Sequence, residues 1–444
     1  MVEREQDFAV EVAVIGAGVV GLGIAWAAAN SGRTVAIIDP DPAGGATYAA
    51  AGMLAPVSEL HYQEESLLGL MLASSELYPA FIQSLDLGDD STGYRRTKTI
   101  SVGVDSADRR ALADLQTVQL ANGLQIETLT IRAARELEPL LSPQLSGAFL
   151  ARGDHQVDPR KLAESLIRAL NALSVAKGWV HPVEIRQRAL GVLHENPADA
   201  ASAVTGVRLA DGSTISAREV IVANGLAADQ LEGLPDWLAL PLRPVYGDIL
   251  RLRVPENLRP LLTCTLRGVV HGEPIYLVPR SDGTVVIGAS QREDGSSAAS
   301  AGNVFRLLRD AQALVPAVSE LELIEVTCRA RPGTLDNAPL LGRVAIAPGE
   351  PAAQTHAAAG SAAGATPATG HIPGLIIATG FYRHGVLLTP IAAQYCLELI
   401  EERADDRWSN FRPDRFCAPP AVTANPPATA SPAATANTAE DARP

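Results

Sequence analysis

A glycine-rich turn between two apolar segments near the N-terminus limits what this chain can fold into. The apolar residues 12–15, three of them β-branched, precede the motif Gly16-Ala-Gly18-Val-Val-Gly21, and an Ala-rich stretch then reaches Asn30. A second β-branched run follows at residues 34–38. The order of strand, glycine turn, helix and strand predicts a βαβ unit, in which a helix joins two parallel buried strands.

The same region has to be compared with a membrane-spanning helix. Residues 12–32 carry no charged side chain, and 21 residues are enough to cross a bilayer as a helix. Five of those 21 positions are glycine, however, and three of the glycines follow the β-branched run directly. The pattern therefore favours a folded βαβ unit, and we expect no membrane segment.

Composition and charge exclude several classes of protein. The chain has 444 residues, of which 36 are basic and 50 acidic, so its net charge of −14 repels a nucleic-acid backbone. Its four cysteines form no C-x-x-C pair, which argues against a thiolate metal site and a dense disulfide framework and favours a reducing compartment. Residues 1–7 carry mixed charges, unlike a secretory signal. We expect a cytoplasmic protein that holds no metal and binds no nucleic acid.

Each glycine of the motif has a mechanical role in binding a dinucleotide. Gly16 makes the tight turn, Gly18 lets the backbone approach a pyrophosphate, and Gly21 lets the helix pack closely. The positive end of the helix then faces the phosphates. Asp39 lies 23 positions after Gly16, at the end of the second predicted strand, where a carboxylate accepts hydrogen bonds from ribose hydroxyls. The sequence therefore predicts a site for an adenine dinucleotide.

Three further motifs carry a family resemblance. They are Gly44-Gly-Ala-Thr-Tyr-Ala-Ala-Ala-Gly52-Met53-Leu54, Arg331-Pro-Gly-Thr-Leu-Asp-Asn-Ala-Pro339 and Thr379-Gly-Phe-Tyr-Arg-His-Gly385-Val-Leu-Leu-Thr-Pro390. With the glycine motif, and in this order, they resemble the D-amino-acid oxidase family of FAD enzymes over residues 10–413. Within that family they are most similar to the glycine oxidases of thiamine biosynthesis.

The resemblance implies that FAD is bound without a covalent link. The residues that match its cofactor site are Gly16, Gly18, Gly21, Asp39, Ala51, Gly52, Met53, Gly380 and Gly385. Ala49 occupies the position where related dimethylglycine dehydrogenases attach flavin to a histidine, and alanine cannot form that bond. Cys328 is near the flavin-linked cysteine of monomeric sarcosine oxidases, but its spacing to the next Arg-Pro is short by two, so we expect a buried structural cysteine.

The resemblance also implies a substrate site formed by Arg331, Tyr276 and Arg383. The fork of Arg331 can bind a carboxylate through two parallel hydrogen bonds, Tyr276 adds a donor, and Arg383 matches the family's second arginine. Two departures, Gln291 for a methionine and Tyr246 for a lysine, leave the size of the substrate and the reactivity towards oxygen open.

The implied reaction is oxidation of a small amino acid. The family transfers the α-hydrogen as hydride to flavin, and molecular oxygen then takes the electrons to give hydrogen peroxide, imine or glyoxylate, and ammonia. Alternatives are a D-amino-acid or sarcosine oxidase, a dehydrogenase that uses another electron acceptor, and a flavin-binding module without turnover. The relatives also imply a homo-oligomer.

The expected fold is α/β, with a Rossmann-type FAD-binding domain and an inserted, mostly antiparallel substrate domain. We assign residues 8–85, 155–240 and 326–415 to the first and residues 86–154 and 241–325 to the second. Two Ala- and Pro-rich stretches, a loop insertion at 347–369 and a tail at 418–444, are expected to be disordered. The sequence further predicts helices at 160–173 and 386–401, a strand at 374–380, a two-stranded ribbon around Asp211-Gly212 and a hairpin turn at 281–283.

Overall fold

The computed structural model describes residues 8–62, 64–88, 90–346 and 370–417, and these residues form two large β-sheets with helices packed against them. The predicted loop insertion at 347–369 and the predicted tail at 418–444 lie outside the described residues. No helix in the described ranges is long and apolar enough to span a membrane.

The described strands and helices follow one another in a mixed order. The strands are β1 (Phe8–Ile15), β2 (Val35–Ile38), β3 (Met53–Leu54), β4 (Thr99–Gly103), β5 (Glu127–Leu129), β6 (Gly147–Ala151), β7 (His155–Gln156), β8 (Glu184–Ile185), β9 (Ala189–His194), β10 (Val204–Leu209), β11 (Thr214–Val222), β12 (Arg243–Arg253), β13 (Thr265–Val270), β14 (Glu273–Pro279), β15 (Thr284–Gly288), β16 (Glu322–Gly333), β17 (Leu340–Ala345) and β18 (His371–Thr379). The helices are α1 (Val19–Asn30), α2 (Ala46–Ala49), α3 (Glu65–Ser84), α4 (Ser106–Ala121), α5 (Ile131–Leu137), α6 (Pro159–Lys177), α7 (Ala301–Leu314) and α8 (Thr389–Ile400).

The first sheet contains the predicted βαβ unit. Its main path is β17-β18-β11-β1-β2-β8, and β1 is parallel to both of its neighbours, with Val12 opposite Val35 on β2. The charge-free stretch at 12–32 is therefore a buried strand followed by the helix α1, which packs against α6 and α8. The prediction of a βαβ unit is confirmed, and so is the ribbon around Asp211-Gly212, where β10 and β11 are antiparallel.

The second sheet is mostly antiparallel. Its strand order is β16-β12-β15-β14-β13-β4-β6-β5, and within the described part of this sheet only the β4–β13 pair is parallel. The hairpin turn at 281–283 is confirmed, because β14 and β15 flank it as an antiparallel pair. The α/β fold with an additional antiparallel sheet is thus confirmed.

Two elements differ in position from the sequence-based expectation. The helix predicted at 386–401 begins only at Thr389, because residues 385–388 form a turn and Pro390 occupies the first helical turn, where proline is favoured. Strand β16 continues to Gly333 on β12, so the second sheet extends past residue 325, the predicted domain boundary. The division into domains stays a prediction.

Candidate active site

A cavity of about 490 Å³ lies between the N-terminal end of α1 and the face of the second sheet. Its walls include all but one of the site residues predicted from the sequence, and Gly21 is the exception. The predicted residues that line it are Gly16, Gly18, Asp39, Ala51, Gly52, Met53, Tyr276, Arg331, Gly380, Arg383 and Gly385. Residues more than 300 positions apart in the chain therefore meet around one space.

The glycine motif forms one end of the cavity. Gly16 has φ of +107°, and a Cβ atom there would lie 2.5 Å from the Ala223 carbonyl oxygen. A Cβ atom on Gly21 would lie 2.0 Å from the Gly16 carbonyl oxygen, so this glycine permits the close packing of α1 against the turn. Gly18 is different, because a Cβ atom there would meet only Thr47 Oγ1, at 3.5 Å. The protein itself leaves the space beside Gly18 open towards the cavity.

Two side chains hold the turn and the start of α1. The Val19 amide donates to Thr47 Oγ1 at 3.0 Å, so Thr47 satisfies one of the free N–H groups at the helix start. Asp39 accepts hydrogen bonds from the Ala17 amide at 2.7 Å and from the Asp41 amide at 2.8 Å. Asp39 lines the cavity as well, and a carboxylate has lone pairs beyond those two bonds, so it can also accept from a ribose.

A buried arginine fixes the small-residue loop that forms the middle of the cavity. Arg280 donates to the Ala51 carbonyl oxygen, to the Val157 carbonyl oxygen at 2.9 Å and to Gln156 Oε1 at 3.1 Å. Burial lowers the pKa of Arg280 to about 10, which leaves it charged at neutral pH. Next to this loop, β3 pairs with β7 and directs Met53 to the cavity.

Arg331 and Tyr276 meet on the second sheet. Arg331 lies on β16 and its guanidinium covers Gly247, where a Cβ atom would lie 2.3 Å from Nη1. Tyr276 lies on β14, and burial raises the pKa of its hydroxyl, although the Arg331 charge opposes that effect. In the described parts of the chain, Arg331 pairs with no carboxylate within 4.0 Å. A cation without an acidic partner therefore faces the cavity beside a phenol.

Arg383 has a partner of its own. Its guanidinium donates to Glu64 Oε2 at 2.5 Å and lies 4.7 Å from the centre of the Tyr382 ring. Burial would raise the pKa of Glu64, but His384 and Arg383 lower it to about 2, so Glu64 is ionised. The charge of Arg383 is thus already compensated, unlike that of Arg331.

The sequence differs from related flavin enzymes at four positions discussed above, and not all of them lie at the cavity. Ala49 lines it. Cys328 is buried, does not line it, and its sulfur lies 3.3 Å from Nη2 of Arg292. Gln291 is exposed, and neither it nor Tyr246 is part of the cavity wall.

Several residues around the cavity were not predicted from the sequence. Glu59 lines the cavity and accepts a hydrogen bond from Arg267 at 2.8 Å, across 208 positions of sequence. Glu59 belongs to no sequence pattern that indicates a site, because its partner is distant in sequence. Thr47 lies within the motif at 44–54, but its contact with α1 was not predicted. His384 did carry a signal, since it directly follows Arg383 within a recognised motif.

The cavity fits an FAD molecule. One end offers backbone amides at the start of a helix beside Gly18, with no side chain filling the space, as a pyrophosphate requires. The middle is lined by small residues (Gly45, Ala46, Ala49, Ala50, Ala51 and Gly52), which allow a flat ring to approach the backbone. The wall at the far end carries Tyr276 and Arg331, which suit a carboxylate.

Comparison with known proteins agrees with this fit. A family model described as FAD dependent oxidoreductase matches residues 11–399. The chain belongs to the FAD-dependent oxidoreductase family. The predictions of the family, of FAD as its cofactor and of a Rossmann-type FAD-binding fold are therefore confirmed.

Individual relatives are similar along most of this chain. The glycine oxidase of Geobacillus kaustophilus (strain HTA426) is 30% identical over 403 residues, which cover 88% of this chain and 93% of that protein. A crystal structure of glycine oxidase from Geobacillus kaustophilus matches with a TM-score of 0.74 and 27% identity, over 92% of this chain and 100% of that one.

Other relatives are longer proteins. The bifunctional protein ThiO/ThiG of Trichormus variabilis (strain ATCC 29413 / PCC 7937) is 29% identical over 409 residues, which cover 91% of this chain. This chain spans only 55% of the length of that relative.

Proposed function

We propose that this chain oxidises glycine, and to some extent sarcosine or small D-amino acids, with FAD as its cofactor and molecular oxygen as the electron acceptor. The observation that carries the proposal is the pair of Arg331 and Tyr276, which presents an uncompensated cation and a phenol to a cavity that fits FAD. Similarity to the glycine oxidase of Geobacillus kaustophilus supports the choice of substrate.

The roles of the residues follow from their positions. Gly16, Gly18, Asp39 and the start of α1 hold the nucleotide part of FAD, and the loop at 49–53 supports its ring. FAD bound there would supply the redox chemistry, as the acceptor of a hydride from the α-carbon of the substrate and as the donor of electrons to oxygen. Gly380 and Gly385 also line the cavity, on either side of the short turn between β18 and α8.

The substrate is held mainly through its carboxylate. Arg331 donates two parallel hydrogen bonds and Tyr276 a third, and the two from Arg331 are strong because both donor and acceptor are charged. Arg383 is a secondary contact, since Glu64 competes for it. Positioning of the α-carbon then supplies much of the catalytic effect, because the chemistry of oxidation belongs to the cofactor.

The proposal also covers the use of the product, the attachment of the cofactor, the location and the oligomeric state. The resemblance to the glycine oxidases of thiamine biosynthesis supports an imine product that serves the thiazole moiety of thiamine. We also propose that FAD is non-covalent, since Ala49 has no linking atom and Cys328 is not part of the cavity wall. A cytoplasmic location and a homo-oligomeric state complete the proposal, the latter carried over from the relatives.

An anaerobic titration tests the proposal. Glycine, sarcosine and D-alanine are added in turn to the purified yellow protein, and flavin absorbance is recorded. We expect glycine to bleach the flavin, admission of oxygen to restore the colour and release hydrogen peroxide, and acid precipitation to release all of the flavin. Bleaching by none of the three would contradict amino-acid oxidation. A flavin that stays bleached in oxygen but regains its colour with an added quinone or dye would indicate a dehydrogenase with another acceptor.

A further inference from the structure

A buried histidine with no assigned role lies between two carboxylates behind the cavity wall. The side chain of His384 is fully buried, and neither ring nitrogen has a hydrogen-bond partner in the part of the chain that the structure describes. Its Nδ1 lies 3.8 Å from Glu59 Oε2, and its Nε2 lies 3.9 Å from Glu64 Oε2. Buried polar atoms normally have partners, so this arrangement requires an explanation.

The charges around His384 leave room for one more proton. The groups that face it or its two carboxylates are Glu59, Glu64, His61, Arg267 and Arg383. Two carboxylates and two guanidinium groups compensate each other, and burial together with the arginine charges lowers the pKa of His61 to about 4, so His61 is neutral. The state of His384 therefore decides whether the cluster is neutral or carries one positive charge.

A neutral imidazole cannot satisfy both carboxylates. It has a single N–H, so one ring nitrogen donates towards Glu64 or Glu59 and the other presents a lone pair to the remaining carboxylate. One additional proton on the ring would satisfy both contacts, after a movement of about 1 Å to reach hydrogen-bond distance. The cluster can therefore accept one proton, at the ring nitrogen of His384 that carries no hydrogen in the neutral form.

Glu59 connects this position to the cavity. Its carboxylate is part of the cavity wall that includes Tyr276, Arg331 and Met53, and its Oε1 accepts from Arg267 while its Oε2 faces His384. Burial raises the pKa of Glu59, but the nearby charges of Arg267 and Arg383 oppose it and the pKa is lowered overall, so Glu59 stays ionised. An ionised carboxylate in the same cavity as the carboxylate-binding pair is suited to a cationic group of the ligand.

An amino acid brings such a group. In solution its amine is an ammonium ion, whereas loss of hydride from the α-carbon requires the neutral amine with its lone pair. We propose that Glu59 accepts a hydrogen bond from the substrate's ammonium group and that its proton passes through Glu59 to Nδ1 of His384. One N–H bond of the ammonium breaks, one N–H bond forms on the imidazole, and no electrons are transferred. This inference rests on the proposed function.

The product of this step is electrostatically favourable. The proton leaves the cluster with one positive charge, next to a substrate that keeps only its carboxylate charge. The neutral form of His384 is required before binding, because only a ring nitrogen with a free lone pair can accept the proton. An amino acid should therefore bind more weakly as the pH falls, whereas a hydroxy acid of the same shape should not.

Glycine and glycolate form a matched pair for the test, because they differ only in the amine and the hydroxyl. The holoenzyme is reduced with dithionite under argon, so that glycine binds without being consumed, and both ligands are titrated by calorimetry between pH 5.5 and 8. For the unmodified protein we expect the Kd of glycine to rise towards the acid end, by up to about tenfold per pH unit, and the Kd of glycolate to stay constant or fall.

Variants assign the effect to the two residues. In His384→Asn, and in His384→Gln if the first variant folds poorly, the Kd of glycine should follow that of glycolate across the pH range. In Glu59→Gln the preference for glycine over glycolate should be lost at every pH. His371→Asn changes an exposed histidine at the start of β18 and should behave like the unmodified protein. Flavin absorbance and thermal midpoint verify that each variant is folded.

The outcomes separate this inference from the proposed function. If glycolate binds and glycine shows no greater pH dependence than glycolate, the proton path is wrong while the carboxylate site stands. The same conclusion follows if His384→Asn keeps the pH dependence of glycine. If neither ligand binds to the unmodified protein, or if glycine fails to bleach the oxidised flavin, the proposed function fails and this inference fails with it.

Discussion

The two ends of the cavity are built from different parts of the chain and in different ways. The end at Gly16, Gly18 and Asp39 belongs to one βαβ unit and consists mainly of backbone. The opposite end takes Tyr276 from β14, Arg331 from β16 and Arg383 from the turn before α8, and it consists of side chains. A backbone site depends on spacing along the sequence, whereas a side-chain site depends on how distant strands align.

The largest effect is expected at the backbone end. In Gly18→Val the added carbons point into the space that a pyrophosphate needs, while the nearest protein atom to a Cβ there is Thr47 Oγ1 at 3.5 Å. We expect a folded protein without bound flavin, measured as loss of the absorbance near 450 nm with an unchanged circular dichroism spectrum. Gly69→Val, in α3 with no atom within 4 Å of an added Cβ, should stay yellow. Full flavin content in Gly18→Val would show that the pyrophosphate does not bind beside Gly18.

Arg331→Ala should affect the side-chain end alone. Removal of the cation leaves a bound carboxylate without its partner, and the expected loss of glycine binding is about 2–5 kcal/mol. Arg331→Lys keeps the charge but loses the two parallel hydrogen bonds, so it should recover only part of the loss. Calorimetry gives the affinity and absorbance gives the flavin content, which should be normal in both. An unchanged affinity for glycine in Arg331→Ala would place the carboxylate anchor elsewhere.

Arg383→Ala should have a smaller effect on glycine binding, about 1 kcal/mol, because Glu64 already compensates the charge of Arg383. The comparison with Arg331→Ala under identical conditions shows which arginine is the anchor. Arg412→Ala serves as control, since that arginine pairs with Asp414 and is not part of the cavity wall. A larger loss in Arg383→Ala than in Arg331→Ala would reverse the assigned roles.

The smallest effect concerns a contact between α6, which packs on the first sheet, and strand β16 of the second sheet. Arg160 on α6 donates two hydrogen bonds to Glu325 on β16, at 2.6 and 3.0 Å, and the pair is partly exposed. At pH 7 we expect Glu325→Gln to lower the free energy of unfolding by about 1 kcal/mol or less. Glu136→Gln, in an exposed pair with Arg132 within one helix, should cost less still.

The pH dependence of that contact has a definite sign. The hydrogen bond from Arg160, opposed by burial, lowers the pKa of Glu325 from 4.5 to about 2. Its stabilisation is therefore fully present above pH 4.5 and is lost as the pH falls towards 2. Thermal midpoints of the unmodified protein and of Glu325→Gln should converge over this range. A difference that stays constant down to pH 2 would mean that the charge on Glu325 is not what stabilises the contact.

The sequence predicted the backbone end from physical reasoning and the side-chain end only through a family resemblance. The spacing of Gly16, Gly18 and Gly21 after a β-branched run was sufficient for the βαβ unit, because each glycine satisfies a local steric requirement. The start of α8 was wrong by three residues, since apolar periodicity does not distinguish a turn from the first turn of a helix. The roles of Tyr276, Arg331 and Arg383 stay predictions.

The long-range contacts that hold the site together could not be predicted from any local pattern. Thr47 contacts the start of α1 from 28 positions away, and Glu59 meets Arg267 across 208. Arg280 directly follows β14 but fixes the loop around Ala51, 229 positions earlier. These pairs depend on how the two sheets pack against each other, and no local pattern in the sequence contains that information.

Strand β16 has a consequence for how the substrate range of such a protein can change. Glu325, Arg329 and Arg331 lie on the same face of the strand, because they are even numbers of positions apart. Glu325 contacts α6, and Arg329 donates to the Gly44 carbonyl oxygen at 2.9 Å. The strand therefore sets the distance from Arg331, the proposed carboxylate anchor, to the loop that begins at Gly44. Moving Arg331 would disturb that loop, so adaptation to longer amino acids should proceed through other residues of the cavity wall, such as Met53.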